Sequence, residues 1–299
     1  MSFKAIIKLM DIKTLVAGGI PVLLGSIYSW YAFGQINFVY LILLLVAMIL
    51  IQSATNMIND YFDYKRGADS KERGDEKALV SGESTPKQVL FIIFIYQFIA
   101  CIIGVFIASQ TSYVILLIAF IGGMISIFYA FGPLPISYTP IGEIVSGVTM
   151  GIGITTTVIY IHSGVFNLST VLVAIPTAVF IGTILLSNNL SDLEEDKEAG
   201  RKTLPILIGV KKTEKLWIFN VIMLLVLTIV LMLINIYPIA VLLSAILLFP
   251  HNSISKFLSY DKNIHTKGRT MGLIGKVGLK YHLSVITGLL ISIVFKAGV

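Results

Sequence analysis

Charge is the scarcest property of this chain. Asp, Glu, Lys and Arg make up 13% of its 299 residues, where soluble domains carry about 25%. Hydrophobic residues reach 56%, and the mean hydropathy is +0.91. So thin a polar cover excludes a water-soluble globule, and so apolar a chain excludes a disordered one. Cysteine is almost absent. Cys101 stands alone inside an apolar run, which rules out an internal disulfide or a Cys-based zinc site and predicts a small buried hydrophobe. The net charge of +6 comes from basic residues sorted into a few loops. That pattern fits membrane orientation and excludes a duplex-binding face, so nucleic acid is not a partner.

Long apolar runs fill the rest. Nine segments meet the length of a membrane span: 14–33, 38–60, 88–108, 112–131, 140–161, 169–191, 214–234, 237–257 and 276–296. The first ends in Trp30 and Tyr31 and lacks a small-residue cleavage pattern, so it reads as a span and not as a cleavable signal. Short polar links alternate with three long segments, 61–87, 192–213 and 258–275. Those three and the N-terminal segment, with their flanks, hold every Lys and Arg except Lys296. With nine spans and the N-terminus in the cytoplasm, all of them fall on the cytoplasmic side. No sequence repeat or linker interrupts the pattern, which predicts a single domain over 1–299. Gly122, Gly123, Gly151 and Gly153 permit close helix approach.

Acidic residues concentrate at two span ends. Asn56, Asn59, Asp60 and Asp63, followed by Lys65, Arg66 and Asp69, close the second span. Asn188, Asp192, Glu195 and Asp196, followed by Arg201 and Lys202, close the sixth. Helical spacing places each set on one face. Carboxylates this close repel one another, and a helix C-terminus disfavours them further. Neighbouring Lys and Arg could compensate. A divalent cation completed by substrate phosphate oxygens, as Mg²⁺ usually is, would do so better. The bland alternative, a solvated salt-bridged loop junction, fits one such cluster more easily than two matching ones.

Asn59-Asp60-x-x-Asp63 and Asp192-x-x-x-Asp196 resemble the paired signatures of the UbiA superfamily of membrane prenyltransferases. The resemblance covers essentially the whole chain. It extends through Phe131-Gly132-Pro133, Tyr138-Thr139-Pro140 and Gly142-Glu143. The spacing from Asp63 to Asp69, with Gly67 between, departs from the 4-hydroxybenzoate branch and is similar to the branch that prenylates 1,4-dihydroxy-2-naphthoate for menaquinone. The same Gly67 predicts a helix end before Asp69.

This resemblance implies an all-α integral membrane protein, a bundle of nine transmembrane helices in the bacterial cytoplasmic membrane with its site facing the cytoplasm. It implies Mg²⁺ as cofactor, held by Asp60 and Asp63 with help from Asn56 or Asn59, and by Asp192 and Asp196. It implies a polyprenyl diphosphate donor, a 1,4-dihydroxy-2-naphthoate acceptor and loss of CO₂. Lys65, Arg66, Arg201 and Lys202 become candidates for the leaving diphosphate, with Arg73 and Lys77 as weaker ones. Asn188 joins the substrate-binding set. Tyr61, Phe62, Tyr129 and Tyr138 are candidates to shield the allylic cation, although aromatic residues are common at membrane interfaces anyway. Glu143 opens the fifth span and could position or deprotonate the acceptor hydroxyl; a structural pairing with a loop lysine is the alternative. The segment 68–87 would suit a cap over the site, and Ser84-Thr85-Pro86 marks the start of the third span. His251, His265 and Lys267 in the third long segment carry no assigned role, and His162 and His282 read as interface histidines.

Two other readings compete. A cation or metabolite transporter would also bury acids, but here they cluster at one membrane face. A related prenyltransferase with another aromatic or lipid acceptor would share the donor chemistry.

Overall fold

Apolar residues that surround a helix on all sides, with no alternating pattern, leave the backbone only one way to satisfy its polar groups in lipid. A computed structural model describes residues 2–67, 77–248 and 252–297, and no strand occurs among them. The helices are α1 (Phe3–Met10), α2 (Ile12–Phe33), α3 (Phe38–Arg66), α4 (Pro86–Gln110), α5 (Val114–Ala130), α6 (Gly142–Ser163), α7 (Leu168–Ser191), α8 (Leu193–Glu198), α9 (Leu204–Ile208), α10 (Val210–Leu233), α11 (Ile239–Leu248), α12 (Ser253–Ser259) and α13 (Lys267–Ala297). Seven of the described helices, α2, α3, α4, α6, α7, α10 and α13, are long and apolar enough to cross a membrane. The expected fourth span is the 17-residue α5, and the eighth corresponds to α11 and α12. The last helix begins at Lys267, nine residues ahead of its expected position at 276. Asp69, Arg73 and His251 lie outside the described residues.

The chain divides into two compact units, Met1–Gly19 with Phe38–Pro135, and Ile20–Asn37 with Ile136–Val299. In the first, α1 places Ala5 and Leu9 against Met57 of α3 and Ala78, Leu79 and Val89. Thr85 caps α4 in a capping box with Gln88, and Pro86 takes the first turn, where its missing N–H costs nothing. Phe91, Phe94, Phe98 and Phe106 of α4 are exposed, a surface that lipid covers. Cys101 belongs to this exposed face. The expected burial was wrong because a lipid-facing position is as apolar as a core position. Lys8 of α1 hydrogen-bonds Glu83, and this contact, reinforced by the charges of Lys8 and Lys4, holds the Glu83 carboxyl below its ordinary value of 4.5. The pair therefore steadies α1 above pH 4.5 and releases it as pH falls through the depressed value. With the intrinsic pH dependence of amide hydrogen exchange divided out, the protection of residues 3–10 should fall on acidification, and Glu83→Gln should show the lower protection already at pH 7. Protection independent of both changes would remove the pair as an anchor.

In the second unit, Trp217 of α10 stacks on Phe257 of α12 at 3.9 Å and donates to Ser187 Oγ at 2.9 Å. This satisfies the indole N–H of a fully buried ring. The middle of α6, Gly147–Gly153, is π-helical. It lies backbone to backbone on α7: a Cβ on Gly151 would fall 2.3 Å from Ala178 Cα, and one on Gly147 would fall 2.6 Å from the Ala178 carbonyl oxygen. Gly182, one turn further along α7, lies against the carbonyl of Glu143, 3.1 Å from where its Cβ would be.

Candidate active site

The first acidic strip closes α3, which ends at Arg66; Gly67 follows at φ +68°, a left-handed conformation that favours glycine. Asp60 accepts from Lys77 Nζ at 3.0 Å. Asn59, Asp63 and Tyr129 are half-buried. Lys65 lies 5.4 Å from the Tyr61 ring centroid, and Arg66 lies 5.7 Å from that of Phe62 while donating to the Ala130 carbonyl at 2.8 Å. Phe62 in turn packs on Phe131 at 5.0 Å. Asn56 has a different setting from its neighbours. Its amide donates to the Met10 carbonyl and to Thr14 Oγ1, each at 2.8 Å, so it ties α3 to the turn between α1 and α2.

The second strip lies at the junction of α7 and α8. The α-helical geometry expected to run through it is interrupted at Asp192, which has φ −98° and ψ 17°. Asp192 Oδ2 accepts from Lys267 Nζ at 2.6 Å and from Asn188 Nδ2 at 3.2 Å. Its Oδ1 is buried with no hydrogen-bond partner among the described residues. Asp196 is buried and lies 3.5 Å from Arg201 Nη1, while its carbonyl accepts from the Arg201 backbone N–H at 2.8 Å. The Arg201 guanidinium sits 4.8 Å above the Tyr138 ring, and the Lys202 N–H donates to the Tyr138 carbonyl at 2.9 Å. Tyr138, Arg201 and Asp196 thus form one layer beside Asp192, and the Lys202 side chain is exposed.

Sequence reasoning left Lys267 without a role and gave Lys77 only a weak one. In the structure each neutralises an aspartate of a strip. Their partners are 75 and 17 residues away, beyond the reach of helical periodicity. A buried carboxylate oxygen without a donor, such as Asp192 Oδ1, costs about 1–3 kcal/mol, and an oxygen-seeking cation relieves that cost. No three His, Cys, Asp or Glu side chains converge among the described residues. Mg²⁺ usually takes one or two carboxylates and completes its shell with water and phosphate oxygens.

The remaining candidate is Glu143, in the first turn of α6 and 6% exposed. Its partner is Asn189, whose Nδ2 donates to Oε1 at 2.9 Å, and not the loop lysine considered from sequence. Sequence reasoning gave Asn189 no role, although it stands in the second acidic cluster beside Asn188.

These features define an all-helical integral membrane protein with acidic helix ends suited to a metal-bound phosphate. The chain belongs to the UbiA prenyltransferase family, whose model matches residues 19–267. It is 40% identical over 199 residues to the 1,4-dihydroxy-2-naphthoate octaprenyltransferase of Bacillus subtilis, covering 66% of this chain and 64% of that protein. It is 31% identical over 191 residues to the human UbiA prenyltransferase domain-containing protein 1, covering 63% and 56%. The aligned stretch thus takes in less than two thirds of either relative's length. A UbiA homologue from Archaeoglobus fulgidus, solved with DMAPP and Mg²⁺, shares the fold with a TM-score of 0.63 at 16% identity, over 94% of this chain and 99% of that one.

Proposed function

We propose that this protein transfers a polyprenyl group from an allylic diphosphate to 1,4-dihydroxy-2-naphthoate, with loss of CO₂, to give demethylmenaquinol. The observation that carries this reading is the 40% identity to the Bacillus enzyme that bears this activity in its name. A single functional domain is the reading that the family match supports, since it runs through residues of both units. In this reading the protein works in a bacterial cytoplasmic membrane with nine spans, and the N-terminus and the site face the cytoplasm, an orientation that the sorting of Lys and Arg supports.

Asp60 and Asp63, with Asn59, would hold one Mg²⁺, and Asp192 and Asp196, the former oriented by Asn188, would hold another. Bound there, Mg²⁺ would supply positive charge to offset the negative charge of a departing diphosphate. Lys65, Arg66, Arg201 and Lys202 receive the departing diphosphate. Tyr129 and Tyr138 keep water from the allylic carbon. Glu143 takes the proton of the acceptor hydroxyl next to the reacting ring carbon. The ring carbon then bonds to the allylic carbon, and the diphosphate leaves with the electron pair of the broken C–O bond. The acceptor's carboxylate, on that same ring carbon, departs as CO₂ and leaves the pair of its C–C bond in the ring, and the proton returns from Glu143 to the naphtholate oxygen.

The test is incubation of lipid-reconstituted protein with a polyprenyl diphosphate and 1,4-dihydroxy-2-naphthoate, with and without chelator. Prenylated naphthoquinol and CO₂ should appear in equal amounts and only with Mg²⁺. Turnover of 4-hydroxybenzoate instead would overturn the acceptor, and no product with any aromatic acceptor would overturn the reaction.

A further inference from the structure

A carboxylate inside a membrane protein is costly unless its oxygens are engaged. Glu143 is 6% exposed, and its two oxygens differ. Oε1 accepts from Asn189 Nδ2 at 2.9 Å, whereas Oε2 is buried with no hydrogen-bond partner among the described residues. The contact is built by close backbone packing. The Glu143 carbonyl rests over Gly182, and its side chain runs along α7 to Asn189, two turns beyond. Asn189 is itself 6% exposed and adjoins Asn188, which holds Asp192 Oδ2. Consecutive asparagines on α7 therefore serve two different acids.

A purely structural polar contact would need only a neutral acceptor for the Asn189 amide, and glutamine would supply it without a buried charge. The acid leaves one oxygen over, and the arrangement fixes which one. We propose that Asn189 is a positioning residue: by holding Oε1 it turns Oε2 of Glu143 to the hydroxyl of the aromatic acceptor. This rests on the reading of Glu143 as the group that takes the acceptor's proton. It adds that acceptor recognition is set from α7 by a residue that touches neither the diphosphate nor the metal.

Calorimetric titration of the acceptor into protein without Mg²⁺ or donor tests this without turnover. Asn189→Leu should weaken 1,4-dihydroxy-2-naphthoate about 10-fold, the scale of one hydrogen bond to a charged group. 4-Hydroxy-2-naphthoate lacks the hydroxyl beside the reacting carbon, so it should bind wild type and variant alike. A general disturbance of the fold would weaken both ligands. In turnover, KM for the acceptor should rise while KM for the donor stays within about twofold, the margin left by context dependence. Should Asn189→Leu not fold, Asn189→Ser, whose hydroxyl stops short of Glu143, gives the same comparison. Equal losses for both naphthoates, or no loss for either, would overturn the inference. A wild-type chain that binds neither would instead remove the acceptor assignment and this inference with it.

Discussion

Asp192→Asn should abolish Mg²⁺-dependent transfer, with a loss of at least about 100-fold, the scale seen when one charge-stabilising group is removed from a reacting centre. The geometry explains why so small a change has so large an effect. Asp192 Oδ2 accepts from both Lys267 and Asn188, so an asparagine must keep its amide oxygen on that side. Its NH₂ group then replaces Oδ1, the buried oxygen without a donor. A hydrogen-bond donor would stand where a cation needs a ligand. Folding should survive, because the substitution is isosteric and keeps an oxygen toward Lys267 and Asn188. Lys267→Gln separates the two roles. It leaves both aspartate oxygens in place and should retain far more activity than Asp192→Asn. Mn²⁺ binding followed by paramagnetic resonance, with and without pyrophosphate, reads the site without turnover. Retention of about a tenth of the activity in Asp192→Asn, with unchanged half-saturation by Mg²⁺, would show that Asp192 is not a metal ligand.

What the amino-acid sequence revealed of this site was local. Carboxylates at helical spacing announced both strips, Gly67 announced the end of α3, and Thr85-Pro86 announced the start of α4. Those features depend on neighbours a few residues away, and helical geometry makes them predictable. Partners across the fold were not legible. Lys267 reaches Asp192 from 75 residues away and Asn189 reaches Glu143 across 46; nothing in a periodic pattern specifies either. Asn56 shared the face of Asp60 by spacing, yet its amide serves Met10 and Thr14. The α-helix was also assumed to continue where it does not, at Asp192 and in the π-helical stretch Gly147–Gly153. In lipid the usual guide to inside and outside fails, since Cys101 and the phenylalanines of α4 face outward.

The glycines show the same limit, and the sharpest packing prediction follows from them. Gly122, Gly123 and Gly151 are equal in sequence as sites of close helix approach, but the structure separates them. A Cβ on Gly122 or Gly123 meets nothing within 4 Å, whereas one on Gly151 would fall 2.3 Å from Ala178 Cα and 2.5 Å from its nitrogen. The obstructing atoms are backbone, so no side-chain rotation relieves the clash. Gly151→Val must push α6 away from α7, at a cost of about 3 kcal/mol or more. Gly123→Ala should be close to neutral. Gly278→Ala should fall between them, because the atoms it meets belong to the ring of Phe180, a side chain with some freedom to shift. Thermal unfolding in detergent, read by tryptophan fluorescence or loss of monodisperse protein, ranks the three. The functional consequence is specific as well. Glu143 rests on Gly182 in the same contact, so separating α6 from α7 also breaks its hydrogen bond to Asn189. Whatever Gly151→Val protein folds should therefore lose affinity for the aromatic acceptor before it loses affinity for the diphosphate. Equal stability of Gly151→Val and Gly123→Ala would show that the contact between α6 and α7 is looser than these distances require.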